Sequence, residues 1–332
     1  MLRLSTLALL VCSAPALAQE INVYSHRQPE LIQPLVDAFT AETGITVNVA
    51  FVDKGMVERL VAEGDRSPAD LVLTVDIARL MQVVEAGVTQ AVQSDVLEAN
   101  IPETLRDPGD QWFGLTSRAR IVYASNDRVQ PGEVTTYEDL ASDKWKGRIC
   151  TRSGLSDYNI ALLGAVIVHH GEAAATAWAE GVKANLARKP DGGDRDQVKA
   201  IAAGECDIAI GNTYYIGQML ADPEQAPAAE AVTIVFPTFE SGGTHLNISG
   251  VAMTKSAPNK ENALKFMEWL SGDTAQKIYA ETNHEYPVKL GVARSALVQS
   301  WGEFTADPTP LSEIAAARPA ALKIMETVNF DG

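Results

Sequence analysis

The sequence has few cysteines, few aromatic residues and few basic residues for its length. Among 332 residues there are 3 cysteines and 6% aromatic residues, and 27 Lys and Arg face 43 Asp and Glu, for a net charge of −16. An acidic excess of this size disfavours nucleic acids and anionic membrane surfaces as partners, because both are negatively charged themselves. The composition therefore predicts a protein that does not bind nucleic acid.

Apolar runs long enough to cross a membrane are missing as well. The apolar run in MLRLSTLALLVCSAPALA at the N-terminus is shorter than the ~20 residues of a spanning helix. It follows the basic residue Arg3 and ends in the small residues Ala16-Leu17-Ala18, a pattern typical of a secretory signal peptide. We expect cleavage after Ala18, which makes residues 1–18 a signal peptide, and an exported chain without direct membrane insertion. The alternative is an uncleaved anchor.

Only two cysteines remain after this cleavage, Cys150 and Cys206. Two cysteines in an oxidising compartment predict one disulfide between them, and two buried free thiols are the alternative. Neither cysteine lies in a CxxC pair, so their spacing gives no support to a cysteine-based zinc site.

Catalytic motifs are also absent. The sequence contains no GxSxG, HExxH or EF-hand pattern, and the glycine-rich DGGDRD at 191–196 lacks the GK[ST] of a phosphate-binding loop. His169 and His170 end an apolar helical run before Gly171, where histidines interact favourably with the helix dipole; a metal site is the weaker interpretation. No nucleophile–base constellation is recognisable, so we expect a protein that is not an enzyme.

Short β-rich runs alternate with helical patterns along the chain. The first part contains INVYS, ITVNVAFV and ADLVLTVD, separated by apolar residues at helical spacing in PELIQPLVDAFTAETG and MVERLVAEG. The alternation restarts after ARIVYASN at 119–126, and VTIVFP and ISGVAMTK are later strands. Such alternation predicts βαβ units and an α/β fold with mostly parallel sheets flanked by helices.

Two extended segments, near 117–126 and 232–238, separate two such units and predict two lobes joined by two crossing hinge strands. The cleft between lobes is then the natural ligand site, and lobe closure the natural motion. We divide the mature chain into an N-lobe (19–117 plus 238–280), a C-lobe (118–237) and a C-terminal helical segment (281–332) whose lobe is left open.

Two adjacent tyrosines, Tyr214 and Tyr215, follow a Gly-Asn turn signal in GNTYYIGQML. Asn212 and Thr213 are suited to cap a helix starting near Tyr214. Neighbours at a helix start are ~100° apart around the axis, so both phenols can reach one cleft. Tyr158, in SGLSDYN, also precedes an apolar helix. All three positions follow strand-like segments, at the sheet edge where open α/β sheets bind ligands.

Three phenols in one cleft suit ferric iron, a hard cation that favours oxygen donors. A phenol ionises near pH 10, and a trivalent metal supplies the charge that deprotonates it. Three phenolates would neutralise the metal inside a partly closed cleft. The residues alone leave other interpretations open: tyrosines at a cleft rim, or tyrosines that stack on a sugar or aromatic ligand.

The chain resembles the periplasmic ferric-iron-binding proteins of bacterial ABC importers. The resemblance runs through YSHRQPELI, SPADLVLTVD, QWFGLTSRARIVY, RSGLSDYNIALL, GNTYYIGQML and NHEYPV, and so covers nearly the whole mature chain. It implies a two-lobed type II binding protein in the periplasm, with Tyr158, Tyr214 and Tyr215 as iron ligands. It also implies delivery to an inner-membrane ABC permease; we expect a monomer.

One departure from the family pattern concerns the first loop. Some relatives have His-Tyr where this chain has Gln28-Pro29, which cannot supply a phenolate. The resemblance thus points to the subgroup with three tyrosines from one lobe, and with carbonate, another small anion or water completing the metal's shell. Arg27 or Gln28 would then contribute outer contacts from the N-lobe.

The anion needs cationic or N–H donors, and the resemblance places an arginine of the TSRAR segment near the metal. Arg118 is preferred over Arg120 for this role, and a salt bridge that stiffens the crossing is the alternative for either. Tyr24 and Tyr286 are expected to be structural. The remaining alternatives for function are a binding protein for a phosphorylated sugar or small organic anion, and an exported hydrolase.

Overall fold

The computed structural model describes residues 19–332, so the predicted signal peptide lies outside the described residues. The strands are β1 Glu20–Ser25, β2 Thr46–Phe51, β3 Leu71–Thr74, β4 Thr89–Gln90, β5 Phe113–Ser125, β6 Ile149–Cys150, β7 Ile208–Asn212, β8 Val232–Val235, β9 Leu246–Thr254 and β10 Tyr286–Pro287. The helices are α1 Pro29–Thr43, α2 Met56–Glu63, α3 Ile77–Glu85, α4 Asp95–Asn100, α5 Asp157–Ala184, α6 Asp194–Ala202, α7 Tyr214–Leu220, α8 Ala226–Glu230, α9 Lys260–Ser271, α10 Asp273–Thr282, α11 Ala296–Ser300, α12 Leu311–Ala316 and α13 Arg318–Thr327.

Helix α1 shows how the sequence pattern becomes structure. The helix buries Ile32, Leu35 and Phe39 on one face, at the three- and four-residue spacing of an α-helical stripe. It ends at Gly44, whose φ of 73° is left-handed and whose N–H bonds to Thr40. Burying a side chain such as Phe39 stabilises the fold by about 1.5–3 kcal/mol. The predicted helix and its glycine end are confirmed.

Strand β5 holds the two halves of the molecule together. Its 13 residues are all buried, and at ~3.4 Å per residue they span roughly 44 Å. Phe113–Ala119 pairs antiparallel with β9, Arg120–Ala124 pairs antiparallel with β7, and Val122–Ser125 also pairs with β8. The strand therefore belongs to both sheets and crosses between them near Ala119.

The first sheet has the order β2-β1-β3-β9-β5, and the second contains β5, β7 and β6 with β8 alongside. Pairs β1–β2, β1–β3 and β6–β7 are parallel, as βα alternation predicts. The sheets are mixed rather than mostly parallel as predicted, because β5 and β9 run antiparallel to their neighbours. The chain returns between Val235, still in the second sheet, and Leu246, which pairs with Ala119.

The segment after residue 281 contacts both halves. Strand β10 pairs with β5 at Thr116 and Ser117 in the first sheet, whereas α13 packs along α5, next to the second sheet. Helix α12, which precedes α13 in the chain, contacts both α3 and α5. Lys183 anchors the far end of α13 by bonding the carbonyls of Val328, at 3.0 Å, and Asn329, at 2.6 Å.

The disulfide prediction is confirmed. Cys150 at the end of β6 and Cys206 before β7 are bonded, with their Cα atoms 5.8 Å apart. Both residues are buried in the cluster of apolar side chains beside the second sheet. The bond joins the two parallel strands that carry the chain toward α5 and α7.

Helix α5 is the one described helix that is long and apolar enough to cross a membrane by length and composition. Its helical geometry breaks at Gly171, where φ is 80° and ψ 166°. Residues Ile160–Val166 before the break are buried in the core, which explains their apolar character without a membrane. Beyond the break the helix packs its Trp178 into the same core.

Candidate functional site

A cavity of about 320 Å³ lies between the two sheets, and it collects the three predicted tyrosines. Tyr158, Tyr214 and Tyr215 line one wall. The hydroxyl oxygens of Tyr158 and Tyr214 are 3.4 Å apart, and the rings of Tyr214 and Tyr215 are 4.3 Å apart between centroids. The sequence-predicted residues are therefore brought together at one place.

Local structure explains how each tyrosine reaches the cavity. Tyr158 is the second residue of α5, which Ser156 caps by accepting a hydrogen bond from the Asn159 N–H. Tyr214 and Tyr215 open α7, directly after β7. Both helices begin at the carboxyl ends of parallel strands, which is the ligand-binding edge of an α/β sheet.

Capping by Asn212 and Thr213 was predicted and is wrong. Thr213 stands at the N-cap position of α7 but makes no side-chain cap bond, because its own backbone is already helical, with φ −54° and ψ −47°. The Asn212 side chain instead accepts a hydrogen bond from Arg120, at 3.1 Å. The helix start itself is where the sequence predicts it.

Two glycines permit close packing around the tyrosine pair. A Cβ at Gly211 would overlap the Tyr123 ring, whose hydroxyl donates to the Asn212 carbonyl at 2.5 Å. A Cβ at Gly217 would overlap the His284 ring. Both glycines of GNTYYIG are therefore required, because Tyr123 and His284 pack closely against the backbone on either side of the tyrosines.

Tyr214 and Tyr215 are neutral before any ligand arrives. Burial first, and then the neighbouring phenols Tyr158 and Tyr215, raise the pKa of Tyr214 well above 10, against an opposing effect of Arg118. Burial, Tyr158 and Asp194 likewise raise the pKa of Tyr215, which Arg152 partly offsets. Because burial and Tyr158 disfavour ionisation of both Tyr214 and Tyr215, their deprotonation requires a strong positive charge in the cavity.

Arg118 is a buried cation at this cavity. It is 1% exposed, and its Nη2 donates to the backbone carbonyl of Val75. Its Nε and Nη1 are buried and have no hydrogen-bond partner among residues 19–332. A buried guanidinium without a carboxylate partner is costly, so this arrangement is suited to an anionic ligand that enters the cavity.

Arg120 is placed differently, one layer behind the cavity wall. It is 2% exposed and bonds to Asp194 at 2.7 Å and to Asn159 at 2.6 Å. Its guanidinium carbon lies 5.7 Å from the centre of the Tyr158 ring. Arg120 thus forms the salt bridge that was the alternative to an anion-binding role. Its bonds to Asp194, Asn212 and Asn159 connect α6, β7 and α5.

From the first sheet, Arg27 and Gln28 also line the cavity. Arg27 is 4% exposed and fully engaged, with Glu285 at 2.8 Å and Ser249 at 2.6 Å. Gln28 is exposed and stands at the N-cap of α1 without a side-chain cap bond. Both residues therefore lie on the cavity wall opposite the tyrosines. Arg27 is buried there in an ion pair, and Gln28 faces the solvent.

Sequence reasoning missed Arg152 and His26, which also line the cavity. Arg152 lies with its guanidinium carbon 5.1 Å from the Tyr158 ring centre and bonds Asp194 at 3.3 Å. His26 lines the cavity with a buried Nδ1 that has no described partner, and burial, aided by Arg79, lowers its pKa to about 4. The available signal was that His26 belongs to SHRQ and Arg152 to RSGLSDY, whereas the directions of their side chains depend on the tertiary structure.

The other candidates lie elsewhere. Tyr286 is buried beside Phe304, with ring centroids 5.3 Å apart, and lines a separate cavity. The Tyr24 hydroxyl bonds Glu63 at 2.9 Å. His169 bonds Asp307 at 2.7 Å and His170 bonds Glu138 at 2.6 Å, so each pairs with a separate carboxylate. Within residues 19–332 no cluster of three or more His, Cys, Asp or Glu side chains could hold a metal.

Comparison with known proteins gives consistent results at the level of sequence and structure. Residues 25–277 match the family model for bacterial extracellular solute-binding proteins. Iron uptake protein A1 of Synechocystis sp. is 46% identical over 324 residues, which is 96% of this chain and 90% of that protein.

Two solved structures are similar over the same extent. The apo ferric ion-binding protein A of Pasteurella haemolytica has a TM-score of 0.92 at 54% identity and covers 95% of this chain and 99% of its own. The Trichodesmium protein IdiA (FutA), solved with iron and citrate, has a TM-score of 0.88 at 43% identity and covers 94% and 99%.

These likenesses confirm the two-lobed type II α/β fold expected from the resemblance. The relatives are named as binding and uptake proteins rather than enzymes, in agreement with the absence of a catalytic motif. With most of its length matched by the family model and by close relatives, the chain belongs to the bacterial extracellular solute-binding protein family.

Proposed function

We propose that this protein captures ferric iron in the cavity between its lobes and delivers it to an ABC permease. Tyr158, Tyr214 and Tyr215 would bind the metal as phenolates, and a small anion or water would complete its shell. The protein would act in the periplasm, after cleavage behind Ala18, as a monomer that binds without turnover. The convergence of three phenols on one cavity carries this proposal.

The charges of the site support a trivalent metal. The pKa values of Tyr214 and Tyr215 are raised, so each phenol that binds must lose a proton to the solvent. Three phenolates balance a ferric ion, which leaves a neutral centre in a buried environment. A divalent ion would leave the same set with an uncompensated negative charge, so the donor set favours the ferric state.

Arg118 supports the anion in this proposal. Its two unpartnered nitrogens would gain a partner when carbonate or a similar small anion binds beside the neutral ferric centre. The planar guanidinium matches a planar oxyanion in a two-point contact. Arg27 and Gln28 would contribute outer contacts from the opposite wall, and Arg120 would hold the Tyr158 side in place from behind.

The names of the relatives agree with this function. Relatives are named an iron uptake protein and a ferric ion-binding protein, and one is described in complex with iron and citrate. The family is named for extracellular solute binding, which fits an exported chain that hands its cargo to a membrane transporter. Protonation or reduction would favour release, because protons compete for the phenolates and ferrous iron carries less charge.

A direct test uses the colour of phenolate-bound ferric iron. Protein loaded from ferric citrate should show a visible phenolate-to-iron charge-transfer band. Replacing Tyr214 and Tyr215 together by Phe should abolish the band and weaken iron binding by at least about 100-fold, since losing an outer partner alone costs about 10- to 100-fold. Tyr286→Phe is the matched control, because Tyr286 is also buried but lies outside the cavity. An unchanged band in the double variant would refute the assignment.

The cavity contacts weigh against the rival ligands. A phosphorylated sugar or organic anion needs several free arginines, and four arginines do line the cavity. Three of them are already paired with carboxylates: Arg27 with Glu285, Arg79 with Asp157 and Arg152 with Asp194. Arg118 alone is left for an anion, which suits a small one better than a phosphorylated sugar.

A further inference from the structure

We infer that Arg79 is a positioning residue that latches the two lobes together at the tyrosine site, by binding the carboxylate next to Tyr158. Arg79 lies on α3, which follows β3 of the first sheet. Its Nη2 and Nε lie 2.6 and 2.7 Å from Oδ2 of Asp157, the first residue of α5. The functional part of this inference rests on the proposed iron site.

The Arg79–Asp157 ion pair connects the two predicted lobes directly. Among the ion pairs of residues 19–332, no other joins residues 19–117 to residues 118–237. The Arg79 side chain is 25% exposed and that of Asp157 is 18% exposed, so water screens the pair less than a surface pair. Both residues line the cavity.

The other oxygen of Asp157 is held from the same lobe as Tyr158. Arg318 places its Nη2 2.8 Å from Oδ1 of Asp157. Arg318 begins α13, which packs along α5 and whose following segment bonds back through Asp331 to the Gly154 N–H at 2.7 Å. Separation of the lobes would therefore keep the Arg318–Asp157 ion pair and break the Arg79–Asp157 ion pair.

The consequence concerns how iron would be retained. All three proposed ligands lie on α5 and α7, so the metal can bind while the lobes are apart. Closure would then shield the site, and the Arg79–Asp157 contact would stabilise the closed form at the residue adjacent to a ligand. Breaking a charge pair across an interface mainly accelerates dissociation, so the latch should control how fast iron is lost.

The test compares Arg79→Met with Arg318→Met in the full mature protein. Both variants remove one positive charge that contacts the same carboxylate, so they match in net charge and in side-chain length. The first readout is the radius of gyration of the metal-free protein from small-angle X-ray scattering. Arg79→Met should be more expanded than the parent, and Arg318→Met should not.

The second readout is the rate at which a strong chelator removes ferric iron, followed by the loss of the charge-transfer band. Arg79→Met should accelerate removal by about threefold to tenfold, as expected for the loss of one partly buried ion pair. Arg79→Lys should restore part of the slow rate. The wavelength of the band should not change in any variant, because no proposed ligand is altered.

The outcomes separate this inference from the proposed function. Equal compactness and equal removal rates in the parent and in Arg79→Met would overturn the latch even if iron binds. Parallel changes in Arg318→Met would also overturn it, because they would indicate a general effect of charge at Asp157. Failure of the parent to bind iron would overturn the proposed function, while the scattering comparison would still decide whether Arg79 holds the lobes together.

Discussion

The hydroxyl oxygens of Tyr158 and Tyr214 lie 3.4 Å apart although 56 residues separate them in the sequence. Each residue opens a helix at the end of a strand in the second sheet, and the parallel pairing of β6 with β7 sets these two helix starts side by side. Tyr158 at this distance raises the pKa of Tyr214, so a cation at this place would stabilise the ionised phenol of Tyr214.

Iron affinity should increase with pH. The pKa of Tyr214 and of Tyr215 is raised, so both are protonated in the metal-free protein at neutral pH and release protons when iron binds. The logarithm of the association constant should therefore rise by up to about one unit per pH unit for each bound phenol. Chelator competition between pH 6 and 8, corrected for protonation of the chelator, measures this slope; a flat profile would contradict phenolate binding.

Replacing Arg118 by Met should affect binding and folding in opposite directions. The side chain is buried with two unpartnered nitrogens, so its removal relieves a desolvation cost, and the metal-free protein should unfold at the same or a higher temperature. Iron binding should lose its dependence on added bicarbonate or other small anions. Thermal unfolding and iron titrations with and without the anion provide the two measurements. An anion dependence like that of the parent would show that another residue holds the anion.

Arg120→Met should destabilise the metal-free protein, in contrast to Arg118→Met, and the two variants should be compared. Arg120 and Asp194 are both almost fully buried and bond at 2.7 Å, so the variant leaves a carboxylate without its closest cation. The free energy of unfolding should fall by about 3–5 kcal/mol. Denaturant titration of the metal-free protein measures the change, and a loss below 1 kcal/mol would mean that Arg152 compensates for the missing charge.

Removing the disulfide should destabilise the fold without abolishing the site. Cys150 and Cys206 are 56 positions apart, and a closed loop of this length restricts the unfolded chain by about 4 kcal/mol. We expect the Cys150→Ala, Cys206→Ala double variant to unfold at lower denaturant concentration and to keep its charge-transfer band when folded. Loss of the band at full folding would place the disulfide in the site's geometry as well as in its stability.

The α/β pattern, the order of the main elements and the tyrosine set could be predicted from the sequence because each depends on local signals. Apolar residues at helical spacing produced α1, and Gly44 ended it, as local propensity requires. Tyr214 and Tyr215 were recognisable in the sequence as two adjacent phenols at a predicted helix start. Capping by Thr213 failed because its backbone is helical, a conformation that the residue type alone does not decide.

The amino-acid sequence alone shows which residue types are available: three tyrosines at strand–helix junctions, two cysteines for one disulfide, and arginines in TSRAR. Tertiary structure decided their roles, because a role depends on what each charge meets. Arg118 and Arg120 are two residues apart on one buried strand, yet Arg118 lines the cavity without a carboxylate partner and Arg120 is paired with Asp194. Likewise, only the tertiary structure brings Arg79 of α3 to Asp157 at the start of α5, a contact between residues 78 positions apart that no local pattern encodes.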